Sequence, residues 1–358
     1  MDDQTLKIAV YTIALNEENF VQRWFDSAKD ADYLLIADTG SNDKTVGIAK
    51  SLGINVINVN IKPWRFDMAR NAALAAIPSE IDFCISLDMD EVLIPGWKKE
   101  FDTLPPGVTR PRYNFVYTFD KEGKAIHSFV GDKIHLRNYY RWKNPVHEIL
   151  LPYGVKEIEH HINLEMHHYP DTSKSRGQYL SLLELSVAED PLDDRAAFWL
   201  AREYFFYKRN EESKNAFKKY LEDFPRAWYA ERAWAYKFLA NIEGENREDY
   251  LILASQLAPE FREIWVELAE HYRQLKNWAK CFETALRANA LTVRPDIYLT
   301  DQRIWDGPAV YDLLALSSHY LGKNAEAREF GLKAVELAPE DERLKKNVVF
   351  YSEALERE

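Results

Sequence analysis

The sequence CISLDMDEVLIPGW, residues 84–97, decides the fold of the first half of the chain. An apolar run that reads as a buried strand ends abruptly in Asp88, Asp90 and Glu91. Side chains alternate along an extended chain, so Asp88 and Asp90 should point the same way while Met89 points away. Two carboxylates in one crevice repel each other unless a cation joins them, and oxygen ligands without thiolates favour Mg²⁺ or Mn²⁺. The alternative is a solvated acidic turn with a helix cap.

Strands and helices alternate around this stretch. We predict strands at residues 7–15, 33–37, 55–60 and 82–87, separated by helices at residues 16–28, 44–52 and 66–77. This alternation indicates an α/β domain with a mostly parallel sheet, and in such sheets ligands bind beyond the carboxyl ends of the strands. Asn16 is the expected N-cap of the first helix. The polar groups that follow three strand ends, at Asn16, Asp38 and Asp88, should converge on one crevice.

The second half of the sequence is helical and repetitive. Pro191, Pro225 and Pro259 are spaced 34 residues apart, and each precedes a helix with an aromatic residue and small residues. A helix–turn–helix period of this length resembles tetratricopeptide repeats, whose aromatic stripe normally forms the core. The period breaks at residues 294–308, which we interpret as an insertion or an irregular repeat.

Length and composition narrow the class of protein. The 358 residues suggest two domains, which we place at residues 1–172 and 173–358, and 46% hydrophobic residues exclude disorder. The net charge of −12, without a dense basic tract, argues against nucleic acid as a partner. Cys84 and Cys281 form neither a disulfide framework nor a zinc motif, which fits a reducing compartment. Because no apolar run is long enough to span a membrane and the N-terminus has no signal-peptide character, we expect a cytoplasmic protein.

Three blocks of sequence carry a family resemblance: ALNEENFVQRWFDSAKDADYLLIADTGSNDKTVGIAKSLG at residues 14–53, FDMARNAAL at residues 66–74 and SLDMDEVL at residues 86–93. Together they resemble family 2 glycosyltransferases with the GT-A fold, in particular the branch that contains lipopolysaccharide-core glucosyltransferases. The resemblance covers about the first 170 residues. It implies a metal-dependent, inverting transfer of a sugar from a nucleotide-sugar. UDP-sugars are the favoured donors and GDP-sugars stay open, as do a glycan, a lipid-linked saccharide and a peptide as acceptors.

The resemblance assigns roles to the residues that match its motifs. Those that face the nucleotide or its phosphates are Thr12, Ala14, Leu15, Asn16, Glu17, Asp38, Arg70, Asp88 and Met89. Asp88 and Asp90 match the acids that hold Mn²⁺ or Mg²⁺, and a late histidine, His167 or His168, completes the metal shell. Because side chains alternate along the segment that carries them, these two histidines should lie on opposite faces, and we expect one of them to serve.

An inverting transfer needs a base that takes the proton of the acceptor. Glu148 is our first candidate, because the pair His147-Glu148 resembles the Val-His-Glu that follows the acidic signature in this branch. Glu91, which extends that signature, is the second candidate.

Other residues near these motifs are candidates for donor or acceptor contacts. The basic residues Arg137 and Lys143 suit a diphosphate, and Trp142 offers a flat face for a sugar ring. We assign His147 to the acceptor side as well. Trp305, in the irregular part of the repeats, is placed on the acceptor side, although a role in the repeat core is the alternative.

Two other classes of protein compete with this interpretation. A nucleotidyltransferase or sugar pyrophosphorylase would also use an α/β fold with paired acids, but it needs a Gly-rich, basic loop after the first strand, where this sequence has ALNEEN. A non-catalytic adaptor would bind a protein partner through its repeats and carry a vestigial nucleotide-sugar domain.

Overall fold

The computed structural model describes residues 5–171 and 177–357. They form two compact units, Met1–Leu192 and Asp193–Glu358. The predicted domain boundary, between residues 172 and 173, lies outside the described residues and stays a prediction. The helix Tyr179–Glu189, which follows that boundary, belongs to the first unit.

The first unit combines strands and helices. Its strands are β1 (Ile8–Ala14), β2 (Tyr33–Asp38), β3 (Asn55–Asn58), β4 (Phe83–Ser86), β5 (Glu91–Leu93), β6 (Arg110–Phe119), β7 (Ala125–Gly131), β8 (Ile134–Leu136), β9 (Tyr140–Lys143), β10 (Ile149–Pro152) and β11 (Glu159–His168). Its helices are α1 (Val21–Ala28), α2 (Thr45–Ser51), α3 (Phe66–Ala75) and α4 (Tyr179–Glu189), with a 3-10 helix at Trp97–Thr103.

The first sheet has the strand order β3-β2-β1-β4-β8, and its first four strands are parallel. The central strand β1 is apolar along its length because both of its faces are covered. Ile8 and Val10 pack into one apolar cluster, while Ala9 and Tyr11 pack into another on the opposite face. The prediction of a mostly parallel α/β sheet is confirmed, and β8 adds an antiparallel edge.

The second sheet has the order β5-β11-β6-β7. Strand β11 is antiparallel to β5, with His168 opposite Glu91, and parallel to β6. This pairing brings the end of β11 beside the acidic turn that follows β4. Strands β9 and β10 form a separate antiparallel pair.

The second unit is helical. Its helices are α5 (Asp194–Phe206), α6 (Asn210–Asp223), α7 (Tyr229–Ile242), α8 (Arg247–Leu257), α9 (Arg262–Gln274), α10 (Trp278–Ala290), α11 (Gln302–Asp306), α12 (Ala309–Tyr320), α13 (Asn324–Leu337) and α14 (Glu342–Glu356). Helices α5 and α6, α7 and α8, α9 and α10, and α12 and α13 pack as successive pairs, and α14 packs on α13. Pro225 and Pro259 lie at junctions between pairs, so the prediction of tetratricopeptide-like repeats is confirmed. Among the residues that the structure describes, no helix has the length and apolar character needed to cross a membrane.

Candidate active site

The carboxyl ends of β1, β2 and β4 lie at one edge of the first sheet. Ala14 is opposite Asp38 in the pairing of β1 with β2, and Tyr11 is opposite Ser86 in the pairing of β1 with β4. Thr12 is buried inside β1. The loops that follow these strands therefore open at the same edge, as the sequence predicted for a parallel sheet.

Hydrogen bonds join the loop after β1 to the loop after β2. The Asn16 amide donates to Ser41 Oγ at 2.8 Å, and Asn16 Oδ1 accepts from the Asn42 amide at 2.9 Å. The Glu17 amide donates to Thr45 Oγ1 at 2.7 Å. Asn16 has a φ of 57° and is not the N-cap of α1, which begins later, so that prediction was wrong. Its side chain orders the neighbouring loop instead.

Asp38 forms the turn at the end of β2. Its buried carboxylate accepts hydrogen bonds from the amides of Gly40, at 3.1 Å, and Ser41, at 3.2 Å. Gly40 has a φ of 115°, which side chains disfavour. The side chain of Ala14 is buried in the core, whereas Leu15 is 49% exposed at the same edge. A nucleotide contact of Asp38 stays a prediction.

Arg70 on α3 lies at the centre of the charged groups beyond β4. Its Nη2 is 2.7 Å from Asp88 Oδ1, its Nε donates to Glu148 Oε1 at 2.5 Å, and its Nη1 donates to Ser86 Oγ at 3.0 Å. Burial disfavours the charge of Arg70, but Asp88 and Glu148 outweigh that effect and raise its pKa. The structure thus joins three residues that the sequence assigned separately to the donor, the metal and the base.

Lys133 is the residue of this cluster that the sequence did not reveal. Its Nζ is 2.7 Å from Asp88 Oδ2 and 2.6 Å from Glu91 Oε1. Burial by itself would raise the pKa of Asp88, but the positive charges of Arg70 and Lys133 outweigh the effect of burial. The pKa of Asp88 therefore lies below its ordinary value. The pKa of Glu91 is raised. Burial is the main cause and the nearby Asp88 carboxylate adds to it, whereas the positive charge of Lys133 acts in the opposite direction. Glu91 Oε2 also accepts from the Asp88 amide at 2.9 Å, so both oxygens of this buried carboxylate are engaged.

Asp90 lies beside His168. Residues 88–91 form a turn in which the Glu91 amide donates to the Asp88 carbonyl oxygen at 2.9 Å, so this stretch is not the extended chain from which the alternation of Asp88 and Asp90 was predicted. Asp90 Oδ2 is 3.3 Å from His168 Nε2, and His168 Nδ1 is 3.0 Å from the Tyr117 carbonyl oxygen. The carbonyl accepts a hydrogen bond from Nδ1–H, so in the neutral ring the Nε2 lone pair faces the Asp90 carboxylate. Two acceptors at this distance require a proton or a cation between them.

His167 lies on the opposite face of β11, as alternation predicted. It pairs with Glu165 and its Nδ1 is 3.2 Å from the Tyr169 hydroxyl. The structure does not bring it to Asp90, so of the two histidines His168 is the one beside that carboxylate. Burial lowers the pKa of His168, but the bond to Asp90 outweighs burial and raises it.

Four other predicted contact residues are placed elsewhere or buried. Arg137 lies at the amino end of β4, where it donates to the Ile77 carbonyl, so its predicted place at the diphosphate is corrected. Trp142 is buried and donates to the Tyr11 hydroxyl at 2.7 Å, so it offers no free face to a sugar. Lys143 pairs with Asp190 at 2.8 Å. Met89 is buried in the core.

Two residues proposed for the acceptor also pack within their own units. His147, with a φ of 49°, packs edge-on against Tyr179 of α4. Trp305 is 9% exposed and donates to Glu263 Oε1 at 2.9 Å. Trp305 therefore belongs to the core of the second unit, which corrects its placement in a functional loop.

The described residues contain no group of three or more His, Cys, Asp or Glu side chains arranged to hold a metal ion. Asp90 and His168 alone offer one carboxylate oxygen and one imidazole nitrogen. These two residues would hold a Mn²⁺ or Mg²⁺ ion only together with further ligands from outside the chain, and the nitrogen ligand would suit Mn²⁺ better.

The comparisons with known proteins agree with the first unit as described. Residues 9–101 match the model of glycosyl transferase family 2, which confirms the resemblance for the N-terminal part of the chain. An uncharacterized glycosyltransferase of Rickettsia bellii is 32% identical over 110 residues, which are 30% of this chain and 36% of that protein. A TPR repeat-containing protein of Synechococcus elongatus is 28% identical over 151 residues, 40% of this chain and 35% of that protein. The matches thus span about a third of the length of these curated relatives.

The chain is also similar to two solved structures named as TPR proteins. A thermophilic TPR protein of Thermus thermophilus is 25% identical, with a TM-score of 0.31 over 50% of this chain and 91% of that one. The C-terminal part of a TPR repeat-containing protein of Cytophaga hutchinsonii is 12% identical, with a TM-score of 0.41 over 51% and 67%.

Proposed function

We propose that the first unit is a metal-dependent, inverting glycosyltransferase that moves a sugar from a nucleotide-sugar to a glycan, a lipid-linked saccharide or a peptide. The observation that carries this proposal is the meeting of Arg70, Asp88, Lys133 and Glu148 beside the Asp90–His168 pair. These groups lie at the edge of a parallel sheet where nucleotide ligands bind. A UDP-sugar is the favoured donor, and a GDP-sugar is the alternative.

The charges of this cluster favour a divalent cation. Asp88, Glu91 and Glu148 pair with Arg70 and Lys133, and Asp90 pairs with His168. With a neutral His168, these four carboxylates and two cations have a formal charge of −2. A diphosphate would be repelled by this charge. Asp90 and His168 would hold a divalent ion, which would supply positive charge beside a diphosphate and stabilise it as a leaving group.

Arg70 keeps the place beside the phosphates that the sequence gave it, and Lys133 takes the place that the sequence gave to Arg137 and Lys143. Both are at the carboxyl end of β4, and both are already oriented by carboxylates. We propose that they bind the diphosphate, Arg70 through its planar guanidinium and Lys133 as a point charge.

Glu148 is the better candidate for the base. Its side chain is 10% exposed, against 3% for Glu91, and it accepts a hydrogen bond from Arg70 through one oxygen. Glu91 is held by Lys133 and by the Asp88 amide, so it is poorly placed to reach a hydroxyl of the acceptor. We propose that Glu148 takes the proton of the acceptor hydroxyl.

The experiment tests donor binding and the metal together. Calorimetry with UDP and GDP, with and without Mn²⁺, should give Mn²⁺-dependent binding to the wild type. His168→Ala and Asp90→Ala should each lose that dependence. His167→Ala is the matched control, since it removes a neighbouring histidine from the other face of β11 and should bind as the wild type does. Wild-type binding by both His168→Ala and Asp90→Ala would refute the metal assignment.

The adaptor hypothesis is separated from the enzyme by one further assay. An adaptor would bind a protein through its repeats without turning over a donor. Slow, Mn²⁺-dependent hydrolysis of a nucleotide-sugar without acceptor, lost in Asp90→Ala, supports the enzyme. Donor binding without any hydrolysis or transfer would favour the adaptor.

A further inference from the structure

The stretch that interrupts the helix pairs of the second unit begins with residues 291–301, which contain no helix or strand. We call these residues the crossing segment. It follows α10 and ends at Asp301, whose side chain caps α11. It contacts α5 and the start of α7 through the Tyr298 side chain, and α9 through the Asp301 amide. These three helices are the first helices of successive pairs.

The first attachment of the crossing segment is Tyr298. Its ring stacks on Trp199 of α5, with centroids 5.5 Å apart, and lies 5.9 Å from the ring of Trp228. Its hydroxyl donates to Glu231 Oε1 of α7 at 2.5 Å. Leu299 is 9% exposed and belongs to the same apolar cluster as these helices.

The second attachment is a buried carboxylate on α9. Glu263 Oε1 accepts from the Asp301 amide at 2.8 Å and from Trp305 Nε1 at 2.9 Å. Glu263 Oε2 is buried and has no hydrogen-bond partner within the described part of the chain. Arg262 donates to the carbonyl oxygens of Leu291 and Trp305.

Both attachments involve carboxylates that are buried in the second unit. Glu231 faces Arg195 of α5 at 3.7 Å, near the acids Asp193 and Asp194. Glu263 faces Lys237 of α7 across the same surface. A buried carboxylate loses hydration that its hydrogen bonds only partly replace, so it regains free energy when the covering group leaves.

We propose that the crossing segment is an intramolecular, autoinhibitory ligand of the face formed by α5, α7 and α9. An extended peptide from another protein, with an aromatic hydroxyl for Glu231, binds this face after the segment leaves it. Attached, the segment hides Glu231 and part of the Trp199 ring from such a peptide.

Proton uptake accompanies the attached state. Burial raises the pKa of Glu231 to about 7, with Tyr298 and Arg195 opposing it, and burial also raises the pKa of Glu263. Release of the segment hydrates both carboxylates and lowers their pKa values. Alkaline pH therefore favours release.

The test uses the full chain and a labelled synthetic peptide with the sequence of the crossing segment, residues 291–301. In the wild type the attached segment competes with the peptide. Tyr298→Ala weakens the attachment, so this variant should bind the peptide at least about tenfold more tightly in fluorescence anisotropy. Val293→Ala is the matched control, because Val293 is in the same segment and 79% exposed; it should bind as the wild type does. A peptide in which Phe replaces the tyrosine that corresponds to Tyr298 lacks the hydroxyl for Glu231. It should bind the Tyr298→Ala protein more weakly than the original peptide does.

Hydrogen exchange keeps the proposal testable if Tyr298→Ala does not fold. In the wild type, amides of residues 294–301 should exchange faster than those of α7, and the difference should grow from about pH 6 to about pH 8.5 after correction for intrinsic rates. The side chain of Glu231→Gln cannot ionise, so this variant should lose most of the pH-dependent increase in the difference between the two exchange rates. Equal peptide affinity in the wild type and in folded Tyr298→Ala would overturn the proposal. Amides of the crossing segment that exchange no faster than the amides of α7 would overturn it too.

Discussion

Glu148 and Glu91 are carboxylates of one cluster whose hydrogen bonds separate their roles. Replacing Glu148 with Gln keeps the shape of the side chain but removes its ability to take a proton. Glu148→Gln should bind UDP and Mn²⁺ with wild-type affinity and transfer sugar at least about a hundredfold more slowly. Single-turnover transfer and calorimetry on the same preparation measure the two effects. Near-normal transfer by this variant would exclude Glu148 as the base.

Lys133 neutralises two carboxylates at once, and its loss should therefore be costly. Lys133→Met leaves the buried Glu91 without a cation, so we expect the first unit to lose about 3–5 kcal/mol of unfolding free energy near pH 7. Lys133→Arg keeps the charge and should recover most of the loss. Urea unfolding near pH 4.5 should show a smaller deficit for Lys133→Met, because Glu91 then takes up a proton. A deficit that does not change with pH would contradict this explanation.

Local sequence predicted every ionised residue of this cluster except Lys133. Alternation along an extended segment placed His168 and His167 on opposite faces, because residues 166–168 of β11 pair regularly with β5. The same rule does not apply to Asp88 and Asp90, since residues 88–91 form a turn. Lys133 stands in no motif, and only the pairing of β8 with β4 brings it to Asp88. Local sequence patterns do not specify which strands pair when the strands are far apart in the chain.

Strand β8 shows at the scale of elements why the basic residues were misassigned. It runs antiparallel to β4, so the residue before β8 lies at the carboxyl end of β4 and the residue after β8 lies at the amino end. Lys133 and Arg137 flank β8 on either side and so lie at opposite ends of β4. The predicted α/β core of strands and helices was correct because its periodicity is local, whereas the direction of β8 was not predicted. Likewise, the N-cap rule predicted that Asn16 caps α1, but its side chain accepts a hydrogen bond from the Asn42 amide in the neighbouring loop.

Two glycines should respond oppositely to alanine because their surroundings differ. In β7, a Cβ at Gly131 would overlap the ring of Tyr113, which is buried and opposite it on β6. Gly131→Ala should cost about 1–3 kcal/mol of unfolding free energy. Gly47 is inside α2 with open space around its Cβ position, so Gly47→Ala should add about 0.5–1 kcal/mol. Urea midpoints measure both, and a stabilised Gly131→Ala would refute the tight packing of Tyr113.

The whole molecule combines two units whose buried ionisable groups respond oppositely to pH. In the first unit, His135 is fully buried; its Nδ1 is 2.8 Å from the Leu136 carbonyl oxygen and its Nε2 is 3.2 Å from the Tyr11 hydroxyl. A neutral ring satisfies both bonds, donating from Nδ1 and accepting at Nε2. Burial lowers the pKa of His135 to about 4. In the second unit, burial raises the pKa of Glu231 to about 7.

The signs of these two effects follow from proton uptake. An unfolded histidine has a pKa of about 6.5, so the contribution of His135 is complete above that pH and is lost as the pH falls towards 4. An unfolded glutamate has a pKa of about 4.3, so the contribution of Glu231 is complete below that pH and is lost as the pH rises towards 7. Each of these two pKa shifts corresponds to about 3 kcal/mol of unfolding free energy.

We therefore expect that raising the pH from about 4.5 to about 6.5 strengthens the first unit through His135 and weakens the second through Glu231. Hydrogen exchange in urea, followed on peptides from each unit, measures the two unfolding free energies separately. Other groups titrate in this range, so the decisive quantity is the change in slope caused by a variant without the ionisable group. His135→Gln should make the pH slope of the first unit less positive, and Glu231→Gln should make that of the second less negative. Unchanged slopes in both variants would show that neither buried group controls the pH dependence of its unit.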